Sequence, residues 1–120
     1  MADLHLSIRL DLANGERIGP GKVALLEAIR ETGSISAAAR KMDMSYRRAW
    51  LLVEAINRSL RKPAVTSEVG GQRGGGARIT AVGEDVIALY RDIETRSREA
   101  AKAEFRAVAD LARSGRRAAS

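Results

Sequence analysis

The 120-residue chain contains no cysteine. This absence excludes disulfide bonds, thiolate metal sites and cysteine nucleophiles. The single histidine, His5, lies in an alternating apolar segment, where an edge or surface position is the ordinary one. Acidic residues are scattered along charged stretches whose side chains are usually solvated and ion-paired, and no group of them resembles a metal site. We therefore expect no metal, no cofactor and no enzymatic activity.

Long apolar runs are also missing from the chain. No stretch approaches the roughly 20 residues that a membrane span requires. The N-terminal sequence MADLHLSIRLDL interleaves charged and apolar residues, unlike the apolar core of a signal peptide. We therefore expect a cytoplasmic protein with no membrane partner.

Aromatic residues are scarce, at 3% of the chain, although 45% of its residues are hydrophobic. The length fits one domain. A core of Ala, Leu, Ile and Val gains less per residue from burial than a core with large rings. Burial at a subunit interface would supplement such a core.

The charge balance is positive, because 21 Lys and Arg residues against 15 Asp and Glu give a formal net charge of +6. Such a balance favours a polyanionic partner, most simply nucleic acid. The alternative is a basic protein whose charge only maintains its solubility.

The segment 33–60, GSISAAARKMDMSYRRAWLLVEAINRSL, predicts two helices separated by a sharp break. The first helix begins at a cap supplied by Ser34 or Ser36, and the break falls at 42–44. Ser45 is placed to cap the second helix by accepting from its free N–H groups. Residues at helical spacing are predicted to face inward: Ala38, Met42, Met44, Ala49, Leu52, Val53 and Ile56.

The residues after the second cap, Tyr46, Arg47 and Arg48, are predicted to face outward. This is the layout of a helix-turn-helix that reads DNA. Small residues, Ala39 and Ala49, occur where the two helices must cross closely. Any two amphipathic helices joined by a polar turn give a similar pattern, so the flanking sequence has to distinguish the two interpretations.

Two elements are predicted before this segment. Leucine or isoleucine occupies every second position near the N-terminus, which predicts an amphipathic strand over 3–12 with one buried face. Pro20 then suits the first turn of a helix that ends near Gly33. This helix would direct Val23, Leu26 and Ile29 inward, with Leu25 at the flank.

A pair of short strands is predicted over 64–80, joined by the glycine-rich tip GGQRGGG at 70–76. Two short strands after a helix-turn-helix form a wing, in which successive glycines let backbone N–H groups approach phosphates. The phosphate loop of nucleotide-binding enzymes is excluded, because it needs a following helix and a closing Lys-Ser or Lys-Thr. A flexible hairpin without a ligand is the other interpretation.

A long helix is predicted over 81–113, capped by Thr80. About 30 residues of helix would extend roughly 45 Å, which is more than a small domain covers, so we expect the helix to pair with its copy. The alternative is a helix that frays into solvent beyond Arg96. We expect the basic tail over 114–120 to be disordered.

Three groups of residues carry a resemblance to a known family. They are Gly33-Ser34-Ile35-Ser36 with Ala39, Ser45-Tyr46 with Ala49-Trp50, and the glycines of 70–76 with Thr80-x-x-Gly83. With the predicted order of elements, they make the chain similar to the N-terminal DNA-binding domain of the ModE family of molybdate-responsive bacterial transcription regulators. The chain is more distantly similar to the winged helix of LysR-type regulators.

The resemblance implies a mainly α-helical fold with a small β wing: a winged helix-turn-helix with an N-terminal strand and a long C-terminal dimerisation helix. The DNA-binding domain would occupy 1–80 and the dimerisation helix 81–113. Expected DNA-binding residues are Ser34, Ser36, Arg40, Lys41, Ser45, Tyr46, Arg47, Arg48, Gln72, Arg73, Gly74 and Arg78. Expected dimer-interface residues are Leu6, Ile8, Val86, Tyr90, Ile93, Ala101, Phe105 and Val108. Trp50 is expected to be a packing anchor that points away from Arg47.

The sequence departs from the family at two points. Full-length members carry C-terminal domains that hold molybdate, and this chain ends at Ser120 with none of that sequence, so we expect molybdate not to bind it. Asp43 stands where many helix-turn-helices have Gly, although Asp tolerates a left-handed conformation better than most residues.

The predicted function is a sequence-specific transcription regulator that binds double-stranded DNA as a homodimer on an inverted-repeat site. The alternative is a winged helix that acts as a protein-interaction module or adaptor, in which the basic face would be incidental.

Overall fold

The computed structural model describes residues 4–68 and 76–113. The described part is mainly helical, with two small antiparallel sheets, which is the predicted fold class. The helices are α1 (Pro20–Thr32), α2 (Ile35–Lys41), α3 (Tyr46–Ser59), α4 (Ala81–Ala100) and α5 (Lys102–Leu111). The strands are β1 (Leu10–Asp11) paired with β2 (Arg17–Ile18), and β3 (Val65–Glu68) paired with β4 (Gly76–Ile79).

The N-terminal segment has the predicted buried face, but most of it is not a strand. From Leu4 to Leu12 the even positions are half-buried and the odd positions exposed. Ladder pairing joins only Leu10–Asp11 to Arg17–Ile18. The predicted strand over 3–12 is therefore wrong in length over its described residues. Alternation reports a buried face, whereas a strand also needs a partner edge for its backbone groups.

Helix α1 lies at the centre of the core. Pro20 occupies its first position, and Gly33 ends it in the left-handed region (φ 75°), where the Gly33 N–H donates to the Ile29 carbonyl. Both predicted ends are confirmed. Leu25, predicted at the flank, has no exposed surface. The buried residues of this helix are Val23, Leu25, Leu26, Ala28 and Ile29.

Helices α2 and α3 form the predicted helix-turn-helix, and each has a serine cap. The Ser34 hydroxyl oxygen accepts from the Ala37 N–H at 2.9 Å, and the Ser45 hydroxyl oxygen accepts from the Arg48 N–H at 3.1 Å. Ser36, the other candidate cap, lies inside α2. Because each cap satisfies a free backbone donor, the two serines fix where the helices begin.

The turn between α2 and α3 depends on one left-handed residue. Asp43 adopts φ 57°. Its N–H donates to the Arg40 carbonyl at 3.1 Å, and the Met44 N–H donates to the Ala39 carbonyl at 2.9 Å. This pair of bonds is a Schellman motif, in which glycine is the usual left-handed residue. Asp43 therefore does here what glycine does in many related turns.

Three alanines set the close approach of the helices. Ala38 and Ala49 have no exposed surface and Ala39 is 2% exposed. Side chains larger than a methyl group at these positions would force the helices apart, because protein interiors leave no spare volume. The predicted crossing at Ala39 and Ala49 agrees with this burial.

The two strands of the predicted wing pair in antiparallel register, with Val65 opposite Ile79 and Glu68 opposite Gly76. The Ala77 N–H donates to the Gly33 carbonyl at 2.9 Å. This bond attaches β4 to the chain immediately before α2. The tip of the predicted wing, 69–75, lies outside the described residues.

The predicted single helix over 81–113 is interrupted, so the prediction of one continuous helix is wrong. Ala101 has φ −112° and ψ 23°, and it separates α4 from α5. No glycine or proline marks this position. The buried residues of α4 are Gly83, Ile87 and Tyr90, and α5 has none. Beyond Tyr90, no residue of α4 or α5 is buried in the core, so core packing does not oppose the interruption at Ala101.

Arg91 connects α4 to α1. Its Nε and Nη2 donate to the two carboxylate oxygens of Glu27 at 3.0 and 2.6 Å, and its Nη1 donates to Glu94 at 2.8 Å. The hydrogen bonds from Arg91 lower the pKa of Glu27 below its ordinary value. The carboxylate therefore stays ionised at neutral pH, and this charge-assisted pair holds the middle of α4 against α1.

Gly83 lies where α4 crosses the base of the wing. A Cβ atom at this position would lie 2.5 Å from the Ala64 carbonyl oxygen and 2.7 Å from Ile79 Cγ2. The Gly83 N–H also donates to Thr80 Oγ1 at 3.1 Å, while this hydroxyl donates to the Pro63 carbonyl at 2.8 Å. The helix can therefore approach the β3–β4 pair this closely only with glycine.

Replacing Gly83 by alanine should lower the melting temperature of the domain. Alanine is the better helix former by about 1 kcal/mol, but overpacking costs about 1–3 kcal/mol, and the contacted Ala64 oxygen belongs to the backbone. Gly21→Ala is the matched control, because Gly21 lies in α1 and its Cβ would meet nothing within 4 Å. Thermal melts of both variants should show a loss for Gly83→Ala and no loss for Gly21→Ala. A rise for Gly83→Ala would contradict this packing.

Candidate nucleic-acid interface

Four basic residues surround the turn of the helix-turn-helix. Arg40 and Lys41 end α2, Arg47 and Arg48 lie in the first turn of α3, and all four are exposed. Lys41 forms an ion pair with Glu31 of α1. The Schellman turn and the Ser45 cap therefore hold two pairs of cations at neighbouring helix ends.

The outward face of α3 carries apolar as well as basic side chains. Tyr46 is 55%, Trp50 42% and Leu51 47% exposed. At about 100° per residue, Trp50 lies about 60° to one side of Arg47 and Leu51 about 40° to the other. The same half of α3 therefore presents an arginine between two large apolar side chains.

The expected role of Trp50 is wrong in its direction. A residue three positions after Arg47 shares its side of a helix, and Trp50 is too exposed to be a packing anchor. The inward face of α3 is instead made by Ala49, Val53 and Ile56. Counting the helical angle from Arg47 was sufficient to find this.

Asn57 joins the end of α3 to the wing, a role that no motif in the sequence predicts. Its side-chain oxygen accepts from the Ala64 N–H at 2.8 Å and the Val65 N–H at 3.1 Å. Its amide nitrogen donates to the Val65 carbonyl at 3.0 Å. Three bonds from one half-buried side chain fix β3 relative to α3. Its partners lie only seven and eight residues further along the chain, but they come within reach only after the chain turns from α3 into β3.

The C-terminal end of α3 is also tied to the N-terminal hairpin. The Asn14 amide nitrogen donates to the Ser59 carbonyl at 3.0 Å, and Arg58 pairs with Glu16 at 3.1 Å. One carbonyl at the helix end thereby gains a partner. The C-terminal end of α3 is thus held by the N-terminal hairpin, its start is capped by Ser45, and its outward face stays exposed.

The remaining predicted DNA-binding residues are distributed as follows. Ser34 and Ser36 are half-buried in the first turn region of α2, and Arg78 is exposed on β4. Ser45 is exposed, with its hydroxyl engaged as a cap. The wing residues Gln72, Arg73 and Gly74 lie outside the described residues.

The predicted dimer-interface residues divide into buried, half-buried and exposed side chains. Tyr90 is only 1% exposed, and its hydroxyl donates to the Ile8 carbonyl at 2.6 Å. Burial raises the pKa of this hydroxyl, which keeps it neutral. The Tyr90 ring thus belongs to the core of one protomer and offers no surface to a second, which corrects its assignment. Leu6, Ile8, Val86, Ala101 and Phe105 are half-buried, whereas Ile93 and Val108 are exposed.

Two further apolar residues are exposed on the C-terminal helices. Leu89 of α4 is 64% exposed and Leu111 of α5 is 86% exposed. With Ile93 at 37% and Val108 at 53%, they leave apolar surface along both helices. Leu89 and Leu111 were outside the predicted interface.

The described residues contain no helix that is both long and apolar enough to cross a membrane. Over residues 4–68 and 76–113, no three His, Asp or Glu side chains come together as metal ligands.

Comparison with known proteins found relatives over most of this chain. The molybdenum-pterin-binding protein MopB of Rhodobacter capsulatus is 54% identical over 80 residues, which are 67% of this chain and 30% of MopB. The transcriptional regulator ModE of Haemophilus influenzae is 34% identical over 99 residues, which are 82% of this chain and 38% of that regulator. No protein-family model matches the chain.

A solved structure shares the fold. The DNA-binding domain of CbnR, crystallised as a complex with DNA, has a TM-score of 0.54 and 20% sequence identity, covering 72% of this chain and 95% of that one. The likeness confirms the winged helix-turn-helix fold.

This chain spans about a third of the length of the curated relatives it matches. Over the matched residues, the chain belongs to the ModE family, as a winged helix-turn-helix domain.

Proposed function

We propose that the chain is a sequence-specific DNA-binding transcription regulator. The observation that carries the proposal is the outward face of α3, where Arg47 is exposed on a helix that is capped by Ser45 at its start and bonded to the N-terminal hairpin at its end. A rigid, exposed second helix is the part of a helix-turn-helix that enters the major groove. The relative named as a transcriptional regulator and the solved neighbour in complex with DNA support the same function.

The basic residues divide into two roles in this proposal. Arg47 lies near the middle of the outward face, where a guanidinium can meet the O6 and N7 acceptors of guanine. Arg40 and Lys41 lie at the end of α2, and Arg78 lies on the wing. These three would contact phosphates and set the register of the domain on the duplex. Lys41 would exchange its ion pair with Glu31 for a phosphate.

The proposed active form is a homodimer on an inverted repeat. Two recognition helices in successive major grooves lie about 34 Å apart, and a symmetric dimer reads a symmetric site. The apolar side chains left exposed on α4 and α5 support an interface at these helices. Leu6 and Ile8 stay proposed as further contacts.

A protein-interaction module is the other candidate, since the exposed apolar residues of α3 or of α4 and α5 would also suit a protein partner. It requires no DNA affinity. The DNA titration below distinguishes the two functions.

Molybdate is proposed not to be needed for DNA binding by these residues. In the family resemblance molybdate belongs to a C-terminal domain, and the matched part of the relatives is about a third of their length. Repeating the DNA titration with added molybdate should leave the affinity unchanged. A shift in affinity would contradict this.

Arg47→Ala and Arg40→Ala should weaken DNA binding in different ways. The site is first obtained by selecting bound duplexes from random sequence. On this site Arg47→Ala should cost about 1–3 kcal/mol and relax the preference for a guanine. Arg40→Ala should weaken binding to all sequences evenly and lower the salt slope by about one. Dissociation constants measured across salt concentrations give both quantities.

The matched control is Arg98→Ala, because Arg98 is exposed on α4 outside the helix-turn-helix. It should change neither the affinity nor the slope. Wild-type affinity weaker than about millimolar at low salt, without a salt slope, would contradict DNA binding. Equal losses on all sequences for Arg47 and Arg40 variants would contradict the division of roles.

Leu89→Glu combined with Val108→Glu should convert the dimer into a monomer. Each substitution would place an unpaired charge in the apolar interface, where burial without a partner is costly. Ala88→Glu is the control, because Ala88 is exposed but lies about 100° round the helix from Leu89. Solution mass from sedimentation or light scattering measures the outcome. A wild-type chain that is monomeric at all concentrations would overturn the dimer.

A further inference from the structure

Large apolar side chains are exposed next to the cations of α3. Trp50 and Leu51 are 42% and 47% exposed, although aromatic residues are scarce in this chain. Single exposed apolar residues are common on proteins. Here two adjacent ones flank an exposed arginine on the same face of the helix.

This arrangement suits one kind of partner surface in the major groove. Base edges there offer hydrogen-bond donors and acceptors, and the only apolar group they carry is the 5-methyl group of thymine. A helix that presents Arg47 between Trp50 and Leu51 can therefore meet a guanine and neighbouring thymines together. Leu51 has no hydrogen-bonding group that such a contact would desolvate, and Trp50 has only its indole N–H.

We infer that Trp50 and Leu51 determine sequence specificity by contacting thymine methyl groups beside the guanine read by Arg47. The inference rests on the proposed DNA binding and adds to it the base type that two further residues recognise. The selected site should then contain A·T pairs next to the guanine, with the thymine methyl groups on the strand faced by α3.

Trp50 also supplies its own probe, because it is the only tryptophan of the chain. Binding of a duplex that carries the selected site should shift its emission to shorter wavelength and reduce its quenching by acrylamide. Anisotropy of a labelled duplex, measured in the same titration, reports binding independently. Binding by anisotropy with unchanged tryptophan emission and quenching would overturn the role of Trp50 while leaving DNA binding intact.

The contact with methyl groups is tested by replacing each thymine of the selected site with deoxyuridine, which removes only the 5-methyl group. Loss of one buried methyl group should weaken wild-type binding about fourfold, from about 0.8 kcal/mol per buried carbon. In Leu51→Ala or Trp50→Ala the same exchange should change the affinity less than twofold at the matching thymine. In Arg47→Ala the fourfold effect should persist, although overall affinity falls.

The outcomes separate the two levels of the proposal. No binding of any duplex by the wild-type chain means that the proposed function itself fails. Binding with equal affinity for thymine and deoxyuridine sites, or with the same exchange effect in both alanine variants, overturns the methyl contact alone. Leu51→Ala serves as the variant should Trp50→Ala fail to fold, which circular dichroism shows. Protection of Trp50 from acrylamide quenching by an added protein partner, but not by DNA, would likewise overturn the inference.

Discussion

The close crossing of three helices at small side chains is the constraint on which the rest of the structure depends. Ala38, Ala39 and Ala49 are almost completely buried, so α2 and α3 place only methyl side chains at these positions of the core. The left-handed Asp43 then reverses the chain within a few residues. Arg47 and Leu51 lie on the side of α3 opposite Ala49, and both are exposed to solvent.

The rest of the chain is fastened to this unit by single polar side chains. Asn57 holds β3 against the end of α3, and Thr80 joins the base of the wing to the start of α4. Arg91 then holds α4 on α1 through Glu27. A buried or half-buried side chain that satisfies backbone groups has few alternative arrangements. These bonds therefore give the wing and α4 defined positions relative to α3, as the proposed DNA-binding surface requires.

The parts of this fold that sequence could predict are those with local signals. Ser34 and Ser45 as caps, Gly33 as a helix end and Asp43 as the left-handed turn residue each act through their own neighbours in the chain. The wing strands follow from turn composition and short apolar runs. The outward position of Arg47 follows from the helix period.

The parts that failed depend on distant contacts. The alternation of apolar and polar residues near the N-terminus predicts a strand. Whether its backbone forms a hydrogen-bonded ladder depends on a neighbouring strand, and β2 pairs only with Leu10 and Asp11. The ring of Tyr90 has the spacing of an exposed stripe, yet its hydroxyl finds the Ile8 carbonyl, 82 positions away in sequence, and the ring is buried in the protomer. The interruption at Ala101 has no local signal, because neither glycine nor proline is present there. Trp50 is different, because the helix period alone places it on the same side of α3 as Arg47.

The most direct test of where this protein meets DNA is an amide NMR titration of the chain with a duplex that carries the selected site. We predict that the largest chemical-shift changes fall on α3 from Tyr46 to Leu51. The end of α2 and the Arg78 region of β4 should follow, while α5 changes little. Shifts concentrated on the exposed side of α4 and α5, with α3 unaffected, would contradict it.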